Sequence, residues 1–364
     1  HHLGDGPREA IMASLAIKHP LAEDAQLTDA VKRIIDHVVH EPNATNLWRK
    51  KTMAYWHQRA IELMPASIAE LEAIPDAAIR RLLLRPIETN ERKLGSFTHV
   101  ALWREMALWA KATDQRYIES FIEGLPIIGP VQRSGRWTPM DAVPEITEDE
   151  LKDRAWDIRT DIINKVKKKG ITMYSQAVWA NTLKDVEDGY TIGPFTTIEQ
   201  VNDEVGTSRW IPTERVPVIQ KNKIREIDSA TINCINKAQS VMEKLALSST
   251  DANVTVIKMI QRGMKRSNKV RKIKGWVLDE RKAYRQIPVH PKHRRWAVIC
   301  LVDPRTGVPS FFVMIGHSFG LVSAVYNYNR RSALINEIIT NLFDVPASFF
   351  YDDKFGFEPE DTID

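Results

Sequence analysis

Two places along the chain put carboxylates beside strongly apolar residues. Asp279 follows the stretch Gly275-Trp276-Val277-Leu278, and Asp352-Asp353 sit between Phe349-Phe350-Tyr351 and Phe355-Gly356-Phe357. Adjacent acids repel, and burying them in an apolar hairpin adds a desolvation cost that needs a compensating partner. A divalent cation is the natural one, because Mg²⁺ takes carboxylate oxygens and keeps sites for water and phosphate. A carboxylate on one strand facing a pair on a neighbouring hairpin could hold two ions about 3.5–4 Å apart, which suits phosphoryl transfer to a nucleotide. Taken alone, a solvated pair of turn acids would leave the same trace in the sequence.

The elements that must position these acids are readable in outline. Residues 7 to 125 carry apolar residues at helical spacing, for example Leu27, Val31, Ile34, Ile35, Val38 and Val39, with Pro65, Pro75, Pro86 and Pro126 as punctuation. Residues 126–146 read as a Pro/Gly-rich linker. Thr147-x-x-Glu150 then opens a helix in capping-box fashion, and Gly170 closes it after Lys167-Lys168-Lys169. The texture changes from 190 onward. Arg215–Ile227 is β-like with a turn at 221–223, and 235–246 and 252–263 look helical. The stretch 275–278 is expected to be a short buried strand, and 297–302 and 310–315 two strands joined by Asp303-Pro304-Arg305-Thr306-Gly307. A helix over 323–342 and a strand–turn–strand over 348–357 complete an α+β pattern.

Composition narrows the function classes. The chain has 364 residues, 43% hydrophobic and 27% charged, which is enough for a sizeable core and more than one domain. Two cysteines, Cys234 and Cys300, cannot build a disulfide framework or a cysteine-rich zinc site, and fit a reducing compartment. No signal peptide or membrane-length apolar run is seen, so an intracellular location, in cytoplasm or nucleus, is expected. The net charge is only +4, yet Ala252–Val302 holds fourteen Lys and Arg against Asp279 and Glu280. Within it, Arg262, Lys265, Arg266, Lys269, Arg271, Lys272 and Lys274 form a dense run suited to sequence-independent phosphate contacts. A solvated helix face is the plainer reading of the same run.

Three ordered motifs tie these features together. Asp279-Glu280-Arg281-Lys282-Ala283-Tyr284-Arg285-Gln286-Ile287-Pro288 is followed by Ser318-Phe319-Gly320-Leu321-Val322-Ser323-Ala324, and then by Phe350-Tyr351-Asp352-Asp353. In this order and spacing they resemble the palm of reverse transcriptases. Upstream, Lys223-Ile224-Arg225 with Asp228 and Asn233 resembles the fingers motif, and Gly193-Pro194-Phe195 recurs just ahead of the fingers in such enzymes. The resemblance covers roughly 185 to 364. Departures are His317-Ser318 where Pro is usual, Tyr351 at a variable position, and an Arg225–Asp228 interval one residue short.

The resemblance implies an α+β, right-hand-polymerase fold: a helical region of unknown role over 1–145, a connecting helix and fingers over 146–275, and a palm over 276–364. It implies an RNA-directed DNA polymerase that transfers nucleotides from dNTPs to a primer 3′-OH with two Mg²⁺ ions, Mn²⁺ being an alternative. Asp279, Asp352 and Asp353 would be catalytic metal ligands, joined by the backbone carbonyl of Glu280. Arg225 with Lys221 or Lys223 would meet the triphosphate, and Tyr284 would exclude a 2′-OH. Gly320 would let the backbone approach the templating pair. Partners would be an RNA template, a DNA primer or hybrid duplex, and dNTPs. Further domains of a retroelement polyprotein are expected beyond Asp364, with the thumb among them, so this chain alone is expected to polymerise poorly. The rivals are an RNA-dependent RNA polymerase, which would usually place an Asp where Tyr284 stands, and a nucleic-acid-binding relic that keeps the fold without turnover.

Overall fold

The computed structural model describes residues 24–85, 97–220 and 223–363. In chain order the helices are α1 (Asp29–His40), α2 (Pro42–Glu72), α3 (Ala77–Leu84), α4 (Val100–Trp109), α5 (Tyr117–Glu123), α6 (Glu148–Asp153), α7 (Ala155–Lys169), α8 (Ser175–Glu187), α9 (Ile198–Val205), α10 (Thr250–Arg266) and α11 (Val322–Phe343). The strands are β1 (Gly129–Val131), β2 (Thr138–Pro139), β3 (Thr191–Phe195), β4 (Pro212–Gln220), β5 (Lys223–Asp228), β6 (Gln239–Val241), β7 (Glu243–Lys244), β8 (Ile273–Leu278), β9 (Val298–Val302), β10 (Pro309–Met314), β11 (Ala347–Phe350) and β12 (Asp353–Pro359). The architecture is mixed, with helices and several separate sheets.

The chain divides into two compact units. One comprises His1–Tyr55, Leu247–Asp279 and Asn336–Asp364; the other comprises Trp56–Ala246 and Glu280–Ile335. Each of the three sequence blocks 1–145, 146–275 and 276–364 contributes to both, because strands distant in sequence pair with one another.

The first unit is built on the antiparallel sheet β11-β12-β8. Helices α1 and α10 pack through Ile34, Ile35, Val38 and Val39 against Val256, Ile260 and Met264, with Ile273 and Phe357 of the sheet beside them. Thr28 caps α1 and Ser249 caps α10, each accepting from a backbone N–H of the first turn. Gly263 lies so close to Val39 that an added Cβ would sit 2.9 Å from its methyl carbon, so the helices meet where a larger residue would hold them apart.

The second unit is built on the sheet β3-β10-β9-β4-β5, in which β4 and β9 run parallel and the other pairs antiparallel. Strands β9 and β10 are buried along their whole length, so their continuous apolar runs give no alternation. Trp210, Trp296, Phe312 and Trp179 are among the residues that fill the core beside them.

Several local expectations change. Pro65 does not end a helix: α2 runs through it, although an interior proline costs ~3 kcal/mol or more. Residues 126–146 are not a mere linker, since β1 pairs in parallel with β6, β2 pairs with β7, and Ile127, Ile128, Val131 and Trp137 are buried. For the same reason 235–246 is not a helix but a short 3₁₀ turn at Ile235–Ala238 followed by β6 and β7. The Thr147/Glu150 capping box is present, but its helix stops at Asp153 and α7 begins separately. The 221–222 turn, Pro86 and the first residues of the chain lie outside the described residues.

Candidate carboxylate site and nucleotide-binding residues

The three acids all belong to the first unit. Leu278 pairs with Lys354 at the end of β8, so Asp279 is the next residue along, beside the point where Asp353 begins β12. Phe350 pairs with Asp353 across a two-residue turn made of Tyr351 and Asp352. Tyr351 takes a left-handed backbone with φ of 54°, a conformation uncommon outside glycine. Sequence spacing puts Asp279 and Asp352 on neighbouring strands. The register instead makes Asp353 the strand residue beside Asp279 and leaves Asp352 on the turn.

Burial differs from expectation. β8 is a strand but not a buried one: Val277 is 71% and Leu278 51% exposed, and Asp279 and Asp353 are exposed as well. These acids therefore pay less desolvation cost than buried ones would, and their mutual repulsion is what remains to be compensated. The Asp353 carboxyl is pushed above the ordinary range by partial burial, then by the charges of Asp352 and Asp279, with Lys354 opposing. Asp353 thus feels the charges of both neighbours. An all-oxygen set suits a hard cation such as Mg²⁺. Among the described residues, however, no three His, Cys, Asp or Glu side chains form a ready-made metal cluster.

Glu280 opens the next stretch of the second unit, and its carboxylate lies 3.3 Å from Arg331. Tyr284 stands on a 3₁₀ turn, Ala283–Gln286. Its half-buried ring packs edge-on against Phe319 at 4.9 Å and against Tyr328 at 5.1 Å. The fold therefore brings together Tyr284 of the first motif and Phe319-Gly320 of the second. Gly320 has φ of 103°, and a Cβ there would lie 1.9 Å from the Asp228 carbonyl oxygen. Its glycine is demanded by this chain's own backbone, which is reason enough without a templating base pair.

Arg225 is exposed on β5, opposite Val218. Lys223 pairs with Gln220 at the start of that strand, and Lys221 lies outside the described residues. Asp228 and Asn233, part of the same motif, are fully buried and structural. Asn233 donates to the Pro212 carbonyl and the Thr213 hydroxyl. Asp228 receives a two-pronged contact from Arg215, at 2.7 and 3.0 Å.

That contact belongs to a charged cluster that motif reading missed. Asp185 takes Lys282 at 2.7 Å and Arg285 at 3.3 Å, and Arg285 reaches Asp228 at 3.6 Å. Burial alone would raise the Asp185 carboxyl, but the charges of Arg285, Lys282 and Arg215 outweigh it and hold it below the ordinary range. Burial, then the Arg215 charge, lowers the Arg285 guanidinium. Lys282 and Arg285 both lie inside the first motif, so the cluster fixes the turn that carries Tyr284.

The basic run does not form one helix face. Arg262, Lys265 and Arg266 close α10, Lys269, Arg271 and Lys272 lie on the following loop, and Lys274 is on β8. Lys265, Arg266, Lys269, Lys272 and Lys274 are exposed. Arg262 pairs with Asp24. Arg271 is only 12% exposed, contacts both Asp361 oxygens at 2.8 Å and donates to the Val39 carbonyl, so it ties the unit together.

No protein-family model matches the sequence, and no curated protein is significantly similar to it. The site therefore rests on the motifs and the geometry just given.

Proposed function

We propose that the chain is part of an RNA-directed DNA polymerase, with fingers and palm elements of a retroelement enzyme. The observation that carries this reading is the carboxylate trio: Asp279 at the end of β8, with Asp352 and Asp353 at a tight hairpin, near enough for two of them to raise the third. Bound at these oxygens, divalent ions would supply charge neutralisation at the transferring phosphate. Asp279, Asp352 and Asp353 would hold them. Arg225, exposed on β5, would meet a triphosphate with charge-assisted hydrogen bonds. Tyr284, braced by Phe319 and Tyr328, would present a rigid ring to the sugar and crowd out a 2′-OH. The exposed lysines that follow α10 would hold nucleic acid through its phosphates.

Primer extension with dNTPs and with rNTPs, on an RNA template, tests the proposal. Template-dependent dNTP addition should be lost in Asp279→Asn and in Asp352→Asn, because a ligand and a charge go together. Tyr284→Ala should admit rNTPs and keep dNTP use. Preference for rNTPs in the unaltered protein would instead favour an RNA polymerase. Nucleic-acid binding without turnover, unaffected by the Asp variants, would favour the relic.

A further inference from the structure

Residues 42–55 of α2 belong to the first unit and turn aromatic rings and cations outward. Trp48 is 55% and Tyr55 45% exposed, and Leu47, Lys50 and Lys51 are exposed beside them. Trp48, Lys51 and Tyr55 stand at i, i+3 and i+7, so they share one side of the helix with the lysine between the rings. At 1.5 Å per residue the two aromatic residues are about 10 Å apart along the axis.

The charge on this stretch has one sign. Residues 42–61 contain no Asp or Glu. Arg49 is used internally: it donates to the carbonyls of Phe343, Asp344 and Thr362 and pairs with Glu358 at 2.7 Å. Those contacts fix the helix in place. Lys50 and Lys51, by contrast, have no ion pair among the described residues. The Trp48 Nε1–H is also taken, donating to the Leu342 carbonyl at 3.2 Å. What the indole leaves in solvent is therefore a fixed apolar ring surface. Leaving it there forgoes hydrophobic stabilisation, which a stacked partner would recover.

Exposed rings interleaved with cations form the platform on which bases stack while phosphates are neutralised. An anionic membrane surface is the rival partner. A helix lying in a bilayer interface buries an apolar side and keeps its cations on the opposite, polar face. Here Lys51 interrupts that side, and the indole N–H, the polar handle of an interfacial tryptophan, already has its partner.

We propose that this face of α2 binds single-stranded nucleic acid, with one base stacked on Trp48, another on Tyr55, and the phosphates between them meeting Lys51. The inference rests neither on the carboxylate trio nor on the cations that follow α10.

Fluorescence anisotropy tests it with a labelled twelve-nucleotide oligo(dT) and with the same strand lacking its bases. Titrations use the unaltered chain and its Lys265→Glu/Arg266→Glu/Lys269→Glu variant, in which cations of the other nucleic-acid surface are reversed. In that variant oligo(dT) should bind about fivefold or more tighter than the abasic strand, as one stacked base implies. Adding Trp48→Ala should weaken oligo(dT) binding by about fivefold or more and leave the abasic strand unchanged. Trp48→Phe keeps a ring face and should keep most of the affinity, although it loses the bond to Leu342. Lys51→Ala should flatten the salt dependence by roughly one phosphate contact. If Trp48→Ala does not fold, the two strands compared on the Trp48-containing protein, with Trp48→Phe beside it, still decide. Equal binding of the two strands, no oligo(dT) binding at a hundred micromolar, or an equal loss for both strands in Trp48→Ala would each overturn the proposal. So would sedimentation with phosphatidylserine vesicles that Trp48→Ala abolishes while oligo(dT) binding holds.

Discussion

The two units treat charge in opposite ways. In the second, Arg215, Asp185, Asp228 and Arg285 are buried and answer one another at short range. In the first, the ion pairs Arg49–Glu358 and Arg271–Asp361 serve to join elements, while Asp279, Asp352 and Asp353 cluster with like charge. Buried charges that are paired are explained by the fold itself. The like charges at the strand end and tight turn have no such partner built into the fold, and their proposed partner is a divalent cation.

The largest effect should come from breaking the paired cluster. Arg215→Met leaves Asp228 buried beside a lost partner, and should cost about 3–5 kcal/mol in chemical denaturation. Asparagine at 279, 352 or 353 should instead leave the midpoint nearly unmoved. Equal losses in the two places would erase the contrast.

A second effect concerns the exposed cations of the first unit. Reversing Lys265, Arg266 and Lys269 to Glu should weaken RNA or hybrid binding for all sequences alike, and flatten its salt dependence by roughly one slope unit per lost phosphate contact. Arg271→Glu should act differently, by destabilising the unit, because that side chain ties Val39 to Asp361. Anisotropy titrations at several salt concentrations, paired with melting curves, separate the two.

The smallest effect is a pH signature. The folded state raises the Asp353 carboxyl through burial and then through Asp352 and Asp279. The unfolded chain therefore loses that proton first, and ionised Asp353 opposes folding as pH rises through and above the ordinary carboxylate range. Asp353→Asn should raise stability at neutral pH by up to about 0.5 kcal/mol. The gain should vanish at acid pH, where Asp353 is protonated in both states. Melting curves of both proteins against pH check this.

What was legible in the sequence follows physical rules that act locally. The 348–357 hairpin, the capping box at Thr147 and the helix of 250–266 came through because turn chemistry and 3.6-residue spacing are written in neighbouring residues. Residues 235–246 were misread because pairing with 129–131, about a hundred residues away, overrides their helical spacing. The openness of β8 was hidden too. Val277 and Leu278 look like core residues, yet their exposure is set by what packs on the sheet. Within the candidate site, the identities of Asp279, Asp352 and Asp353 were visible, but the pairing that sets Asp353 beside Asp279 was not. Nor was the role of Gly320, which depends on the approach of the Asp228 carbonyl. The Asp185–Arg215–Asp228–Arg285 cluster joins residues up to a hundred positions apart, and no spacing announces it.

Asp279, Asp352 and Asp353 are proposed to form a divalent-cation site. Calorimetric titration of Mg²⁺, repeated with Mn²⁺, into the folded chain and into its Asp279→Asn and Asp352→Asn variants tests it most directly. Saturable binding that each substitution removes while the melting temperature holds is the expected result. Binding that is absent from the unaltered protein, or the same in all three, would contradict it.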